Sequence, residues 1–384
     1  MTRPGNALAI AVAGQDDDQA ALEERTAFFH DAVTDWLADP GITIVCGRWA
    51  DGAIAEFMPA GTAKLLPPAY PGRFAGIREL RLEQQQHHLH IDLGRVHALS
   101  YVVAPSVCLG FDPSLELRLL VTDEAGAPTE HWMLALMYAN PYLRDRRVDP
   151  KAAGRFFQAA REHLARRPDL VRVDISPEVA SNAHAGALFD CLAKASGQSF
   201  EGIDWAGGLA ALGVHSRAKK PVVPAEPRIV PLLDEALALL EASLVIFRDR
   251  TLVEFKTERL GGLHRYEEQG HVSWQLGSFE DHHCHLDLDA VTEVLFSAEP
   301  VPCQGNRLNY TIWFLVPGDC GNPYRPDGYF SITLNKPYRA GVARPEVIDP
   351  VMALYRRHAD QPWVRADERF LDALANGPPS RRFD

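Results

Sequence analysis

The chain has 384 residues, of which 46% are hydrophobic and 23% charged, a composition typical of a globular protein large enough for two domain cores. Its 51 acidic residues outnumber its 39 basic residues, and the formal net charge of −12 argues against nucleic acid or an anionic membrane surface as the main partner. The first residues lack the apolar length of a signal peptide or a spanning helix. We therefore expect a cytoplasmic protein.

Each half of the chain is predicted to open with a helix. Apolar residues recur at helical spacing over residues 19–38 and again over residues 230–243. Short strands follow in each half, and they correspond as 43–46 with 244–247 and 55–57 with 253–255.

The most distinctive segment of the sequence is a histidine-rich strand that occurs twice. Residues 87–93 recur as residues 282–288, and the match continues downstream at a constant offset. Such a match indicates a tandem duplication of a unit of domain size. We predict a first repeat at 1–195, a linker at 196–228 and a second repeat at 229–384.

Further strands follow the histidine segment in both halves. They are predicted at 96–104, 115–121 and 132–138, and at 291–298, 310–316 and 329–334. No helical pattern separates them, so each sheet should be an antiparallel meander. Asp149-Pro150 and Asp349-Pro350 are each predicted to begin a helix. The predicted fold is α+β, a tandem duplication of an antiparallel meander sheet flanked by helices, with two pseudo-equivalent domains.

The repeated strand carries the strongest candidate for chemistry. Side chains alternate along a strand, so the residues i, i+2 and i+4 of its His-x-His-x-Asp pattern share one face. Two such histidines can converge on one metal ion, with the carboxylate as third ligand or as the group that orients a ring. The predicted metal ligands, for iron or zinc, are His88, His90, Asp92, His283, His285 and Asp287. A solvent-facing polar strand without metal is the alternative.

Other common catalytic motifs are absent from the sequence. It contains no GxGxxG, P-loop, GxSxG or HExxH pattern. The six cysteines include no CxxC pair and lie mostly in apolar runs, which predicts buried, reduced thiols.

The order of the motifs resembles the haem-utilisation proteins of bacteria. Residues 252–256 form an apolar-Glu-Phe strand, Gly261-Gly262 follows in a loop, and residues 285–288 lead into the strand that begins at Val291. The first half shows the same order, from residues 54–57 through 90–93 to the strand at Val96.

This resemblance implies a haem ligand in the cytoplasm, which the protein passes on or degrades by opening the ring. Members of that family occur as dimerising single units or as tandem units, so we expect a monomer or a homodimer. In tandem members a histidine between the halves holds the iron, a role that the resemblance gives to His184. His283 and His285 are alternative ligands, and Arg265 is a candidate partner for a propionate.

The sequence therefore predicts a cytoplasmic haem-binding protein, either a carrier or an oxidative haem-degrading protein. One alternative is a non-haem metalloenzyme that uses the His-x-His-x-Asp strand on the same fold. A further alternative is a duplicated sheet that serves only protein association.

Overall fold

The computed structural model describes residues 15–39, 41–48, 53–57, 64–66, 79–84, 87–106, 109, 113–123, 125–144, 148–176, 227–248, 251–268, 271–277, 282–301, 307–320, 322 and 325–379. The helices within this part of the chain are α1 (Gln15–Leu37), α2 (Pro150–Arg166), α3 (Val230–Leu237), α4 (Thr257–Leu260), α5 (Pro345–His358) and α6 (Glu368–Asn376). Among the described residues, no helix combines the length and the hydropathy that a membrane span requires.

The strands fall into two sets along the chain. The first half contributes β1 (Ile42–Arg48), β2 (Ala53–Phe57), β3 (Lys64–Leu66), β4 (Glu79–Gln84), β5 (His87–Asp92), β6 (Val96–Pro105), β7 (Pro113–Thr122), β8 (Pro128–Tyr138) and β9 (Val171–Ile175). The second half contributes β10 (Ala242–Arg248), β11 (Thr251–Lys256), β12 (Leu263–Glu268), β13 (His271–Gly277), β14 (His283–Leu286), β15 (Glu293–Val301), β16 (Arg307–Leu315), β17 (Gly328–Leu334), β18 (Tyr338–Arg339), β19 (Val342–Ala343) and β20 (Val364–Ala366).

Most of these strands form two nine-stranded sheets with the same order of corresponding strands. The first sheet runs β12-β13-β14-β2-β1-β8-β7-β6-β9, and the second runs β3-β4-β5-β11-β10-β17-β16-β15-β20. Neighbouring strands are antiparallel, except that the terminal β9 and β20 run parallel to β6 and β15. The predicted α+β fold of antiparallel sheets flanked by helices is confirmed.

Both sheets draw on both halves of the chain. Strands β12 to β14 of the second half continue the first sheet beyond β2, and strands β3 to β5 of the first half continue the second sheet beyond β11. We call the two junctions, β14 with β2 and β5 with β11, the seams. The predicted repeats 1–195 and 229–384 thus each contribute to both sheets, and residues 196–226 of the predicted linker lie outside the described residues.

The two seams have the same register. His88 pairs with Glu254 where β5 meets β11, and His283 pairs with Glu56 where β14 meets β2. In each case the histidine strand of one half meets the apolar-Glu-Phe strand of the other half. The two motifs that the sequence repeats are therefore direct neighbours in space, across the halves.

Helices α1 and α2 pack on the first sheet through buried aromatic side chains. Phe29 and Trp36 of α1 and Phe156 of α2 are buried, and the Trp36 ring lies 5.9 Å from the ring of Tyr101 on β6. Helix α2 begins as predicted, because the side chain of Asp149 accepts a hydrogen bond from the backbone of Lys151 ahead of the first turn.

The prediction that Asp349-Pro350 begins a helix was wrong. Helix α5 begins at Pro345, and Pro350 lies inside it. Pro345 occupies the first helical position, where a missing N–H costs nothing. Val347 and Ile348 are buried, so their packing favours a helix that starts earlier than the Asp-Pro pair suggests. Helix α3 is also shorter than predicted, since the chain has entered β10 by Ala242.

Candidate functional site

His283 and His285 lie on β14, at the seam of the first sheet. Their exposed fractions are 1% and 5%, so both imidazoles are buried. Cys284 and Leu286, which alternate with them, belong to the hydrophobic core. The strand thus places the two imidazoles on the face that points away from the core, as the alternation of side chains predicts.

The two imidazoles lie close together. Their ring centroids are 5.2 Å apart, and the ring planes are nearly perpendicular at 82°. The preceding residue, His282, is also buried, and its ring stacks on that of Phe255 at a centroid distance of 6.2 Å. His282 is therefore part of an aromatic contact with β11. His283 and His285 contact each other, edge to face.

Gln275 lies on the same face of the sheet as His285. It lies on β13 directly opposite His285, and its side chain is fully buried. Its Nε2 donates a hydrogen bond of 3.0 Å to the carbonyl oxygen of Gly277. Among the described residues, no donor lies within hydrogen-bond distance of its Oε1 atom. A buried amide oxygen that accepts no hydrogen bond lowers the free energy of unfolding by about 1–3 kcal/mol. We therefore expect another group to bind Oε1.

Gly277 fixes the backbone next to His283. It has a φ of +93°, and a Cβ atom added there would lie 2.3 Å from the carbonyl oxygen of His282 and 2.9 Å from Cα of His283. Only glycine fits this close approach of β13 to β14. The position of the His283 backbone is therefore set by a residue on the neighbouring strand.

Asp92 and Asp287, the predicted carboxylate ligands, have other surroundings. Asp92 is buried, and its Oδ1 accepts a hydrogen bond of 3.0 Å from the backbone of Gly94, which caps the short 3-10 turn Leu93–Arg95. The backbone N–H of Asp287 donates to the hydroxyl of Tyr329 at 3.0 Å. In the described part of the chain, no three His, Cys, Asp or Glu side chains are grouped so that they could hold a metal ion.

The remaining predicted site residues lie on β5, on β12 or outside the described residues. The side chains of His88 and His90 are outside the described part of the structure, although their backbone lies on β5. His184 lies outside the described residues altogether. Arg265 lies on β12 opposite Trp274, and its side chain is exposed.

A polar cluster that the sequence did not suggest lies beside the other seam. The carboxylate of Glu254 accepts hydrogen bonds from Ser243 Oγ at 2.8 Å and from Lys256 Nζ at 3.1 Å. Because Glu254 is the register partner of His88, this ion pair lies next to the first copy of the histidine strand. The glutamate of the apolar-Glu-Phe motif was the available signal for it.

Cys284, which lies between His283 and His285 in the sequence, does not contribute to the face that carries them. Cys284 points into the core, and burial raises the pKa of its thiol far above the usual range. The same holds for Cys46, whose burial also raises the pKa of its thiol. Neither thiol is therefore available as a thiolate ligand.

Comparison with known proteins gave structural likenesses only. No family model and no curated protein sequence matches the chain. The solved structures similar to it include holo-PhuS, a haem-binding protein from Pseudomonas aeruginosa, with 11% identity, 90% of this chain and 84% of that chain covered, and a TM-score of 0.37.

Two structures of ChuS are similar in the same way. The haem-degrading enzyme ChuS of Escherichia coli O157:H7 has 10% identity, with 85% of this chain and 84% of that chain covered and a TM-score of 0.38. A second structure, described as an E. coli haem oxygenase, has 12% identity, with 89% and 97% covered and a TM-score of 0.38.

Proposed function

We propose that this chain is a haem-binding protein of haem utilisation. The proposal is supported by the order of sequence motifs that each half shares with the bacterial haem-utilisation proteins. It is also supported by the seams, because the two motifs central to that resemblance, the apolar-Glu-Phe strand and the histidine strand, are hydrogen-bonded neighbours in both sheets. This pairing is the observation on which the proposal depends.

His184 is the proposed ligand of the haem iron. Two histidines that bind one iron from opposite faces of haem have ring centroids about 6.4 Å apart, twice the ~3.2 Å from metal to centroid that follows from a metal–nitrogen bond of about 2.1 Å. His283 and His285 are 5.2 Å apart on one strand face, so they cannot act as such a pair. Either of them alone remains the alternative ligand.

Arg265 is the proposed partner of a haem propionate. Its side chain is exposed on β12, two strands from the seam, where a guanidinium meets a carboxylate without the cost of burying a charge. A cation in this place would orient the polar edge of haem toward solvent.

Titration of the purified chain with haemin tests this proposal. We expect one equivalent of haem to give a sharp Soret band, a shift of that band in His184→Ala, and weaker binding without a band shift in Arg265→Ala. His131→Ala, at an exposed position on β8, is the control and should bind as the unaltered chain does. A chain that gives only the broad spectrum of free haemin would refute the proposal.

The same complex distinguishes cargo from substrate. Under air, with an electron donor added, a haem-degrading protein loses the Soret band and releases iron that a chelator can capture. A carrier retains the band and transfers haem to a haem-free acceptor such as apomyoglobin. In either case haem binding itself is established first by the titration.

A further inference from the structure

We infer that the second half contains a separate binding site for one divalent transition-metal ion, formed by His283, His285 and Gln275. The site goes beyond haem binding, because its ligands lie on one face of β13 and β14 and would hold a bare ion. The Asp287 carboxylate, the ligand predicted from the sequence, is replaced in this site by the amide oxygen of Gln275.

The distance between the imidazoles supports a single ion. A metal–nitrogen bond of about 2.1 Å places the metal ~3.2 Å from the centroid of each ring, and two rings at the tetrahedral angle then have centroids about 5.2 Å apart. The observed centroid distance between His283 and His285 is 5.2 Å. Octahedral neighbours at 90° would bring the centroids closer, to about 4.5 Å, so the separation favours tetrahedral coordination.

Gln275 is independent evidence for a ligand on this face. It is opposite His285 in the antiparallel register, so their side chains emerge on the same side of the sheet. Its amide nitrogen is bonded to the Gly277 carbonyl, which turns Oε1 away from that bond. Within the described part of the chain this fully buried acceptor has no donor, and a bound cation would satisfy it. Coordination of a metal ion by Oε1 would thus give this buried oxygen a binding partner.

The donor set selects the class of metal. Two imidazoles and one amide oxygen suit zinc and the neighbouring divalent transition metals, whereas magnesium and calcium prefer oxygen ligands alone. Three protein ligands leave one tetrahedral position for a water or another small ligand.

The first half has a different residue at the third ligand position. In the register of β4 with β5, Arg81 is opposite His90, which is the position that Gln275 holds opposite His285. Arginine has no acceptor atom and carries a fixed positive charge, so it cannot be a metal ligand. The proposed site therefore belongs to the second half, although both halves carry the two histidines.

Titration of the metal-free, haem-free full-length chain with Zn²⁺, followed by calorimetry, tests the site. We expect one equivalent to bind, and the affinity to fall by more than ~100-fold in His283→Ala and in His285→Ala. Co²⁺ should give the intense visible absorption of a tetrahedral complex. The double variant His88→Ala/His90→Ala is the matched control and should bind Zn²⁺ like the unaltered chain.

Variants of Gln275 keep the test decisive if a histidine variant fails to fold. Gln275→Glu should bind Zn²⁺ at least about tenfold more tightly, since a carboxylate replaces an amide. Gln275→Leu, which has a similar volume but no ligand oxygen, should weaken Zn²⁺ binding at least about tenfold while circular dichroism stays unchanged. Absence of stoichiometric Zn²⁺ binding, or equal affinity in Gln275→Leu and the unaltered chain, would overturn the inference. Haemin titration of the same variants shows separately whether haem binding persists.

Discussion

The hydroxyl of Tyr101 on β6 lies 2.5 Å from Nδ1 of His163 on α2, inside the core of the first half. The indole N–H of Trp36 donates to the same hydroxyl oxygen at 3.4 Å. Nε2 of His163 lies 3.9 Å from the carboxylate of Asp35, which favours the tautomer with the proton on Nε2, so the Tyr101 hydroxyl donates to Nδ1. Nδ1 of His163 is then an acceptor, which requires a neutral imidazole.

We predict that this contact makes the stability of the protein sensitive to mild acid. Burial lowers the pKa of His163, against the opposing charges of Asp35 and Glu162. A histidine whose folded pKa lies below its unfolded value of about 6.5 contributes stability that is present above pH ~6.5 and lost as the pH falls through the folded pKa. Urea unfolding between pH 8 and pH 5 should show this loss.

His163→Gln is the variant that isolates this effect. It should be less stable than the unaltered chain at pH 8, because the core contact is lost, and its stability should fall less between pH 8 and pH 5. The exposed His131→Gln is the control and should follow the unaltered chain at every pH. An unchanged slope in His163→Gln would show that other groups cause the acid sensitivity.

Removal of the Tyr101 hydroxyl should destabilise the protein, because a buried nitrogen atom loses its hydrogen-bond partner. Tyr101→Phe deprives the buried Nδ1 of His163 of its donor, and we expect a loss of about 1–3 kcal/mol in the free energy of unfolding. The corresponding residue of the second half is Phe296, so phenylalanine is tolerated at this place in the fold.

A double-mutant cycle separates this loss from a loss of packing. In Tyr101→Phe/His163→Leu both polar partners are apolar, so the double variant should lose less stability than the sum of the two single variants. Additive losses measured by urea unfolding would mean that the hydrogen bond contributes nothing specific.

The elements of the fold were largely predictable from sequence periodicity. The alternation in the histidine segment predicted which residues of β14 share a face, and the structure places Cys284 in the hydrophobic core and His283 on the opposite face of the strand. Periodicity describes the faces of one strand, however, and it carries no information on which strand lies alongside. The pairing of β14 with β2 of the other half was therefore not predicted.

The candidate site was predictable in part for the same reason. His283 and His285 follow from spacing within one strand, whereas Gln275 is ten positions away from His285 and meets it only through the register of β13 with β14. The Tyr101 and His163 contact likewise joins residues far apart in sequence, which only the packing of α2 on the sheet brings together. Contacts of this kind require the topology.

The shared sheets should keep the two halves together after the chain is cut. Each half supplies three strands to the sheet of the other, so separation would expose the paired edges of β2, β5, β11 and β14 and much of the core. We expect a chain with a protease site inserted in the predicted linker 196–228 to elute as a single particle after cleavage, and to unfold in one transition. Two separate peaks in size-exclusion chromatography at neutral pH would contradict this expectation.

Gly277 should be one of the least replaceable glycines in the second half. Gly277→Ala would place a Cβ at a φ of +93° and 2.3 Å from the carbonyl oxygen of His282, so β13 and β14 would have to move apart. Backbone strain of this kind costs of order 1–3 kcal/mol, and the clash adds to it. The control is Gly262→Ala, where no atom lies within 4 Å of the added Cβ. We expect thermal unfolding to show a clear loss of Tm for Gly277→Ala and little change for Gly262→Ala, whereas equal values for the two variants would mean that β13 relaxes away from His283 without cost.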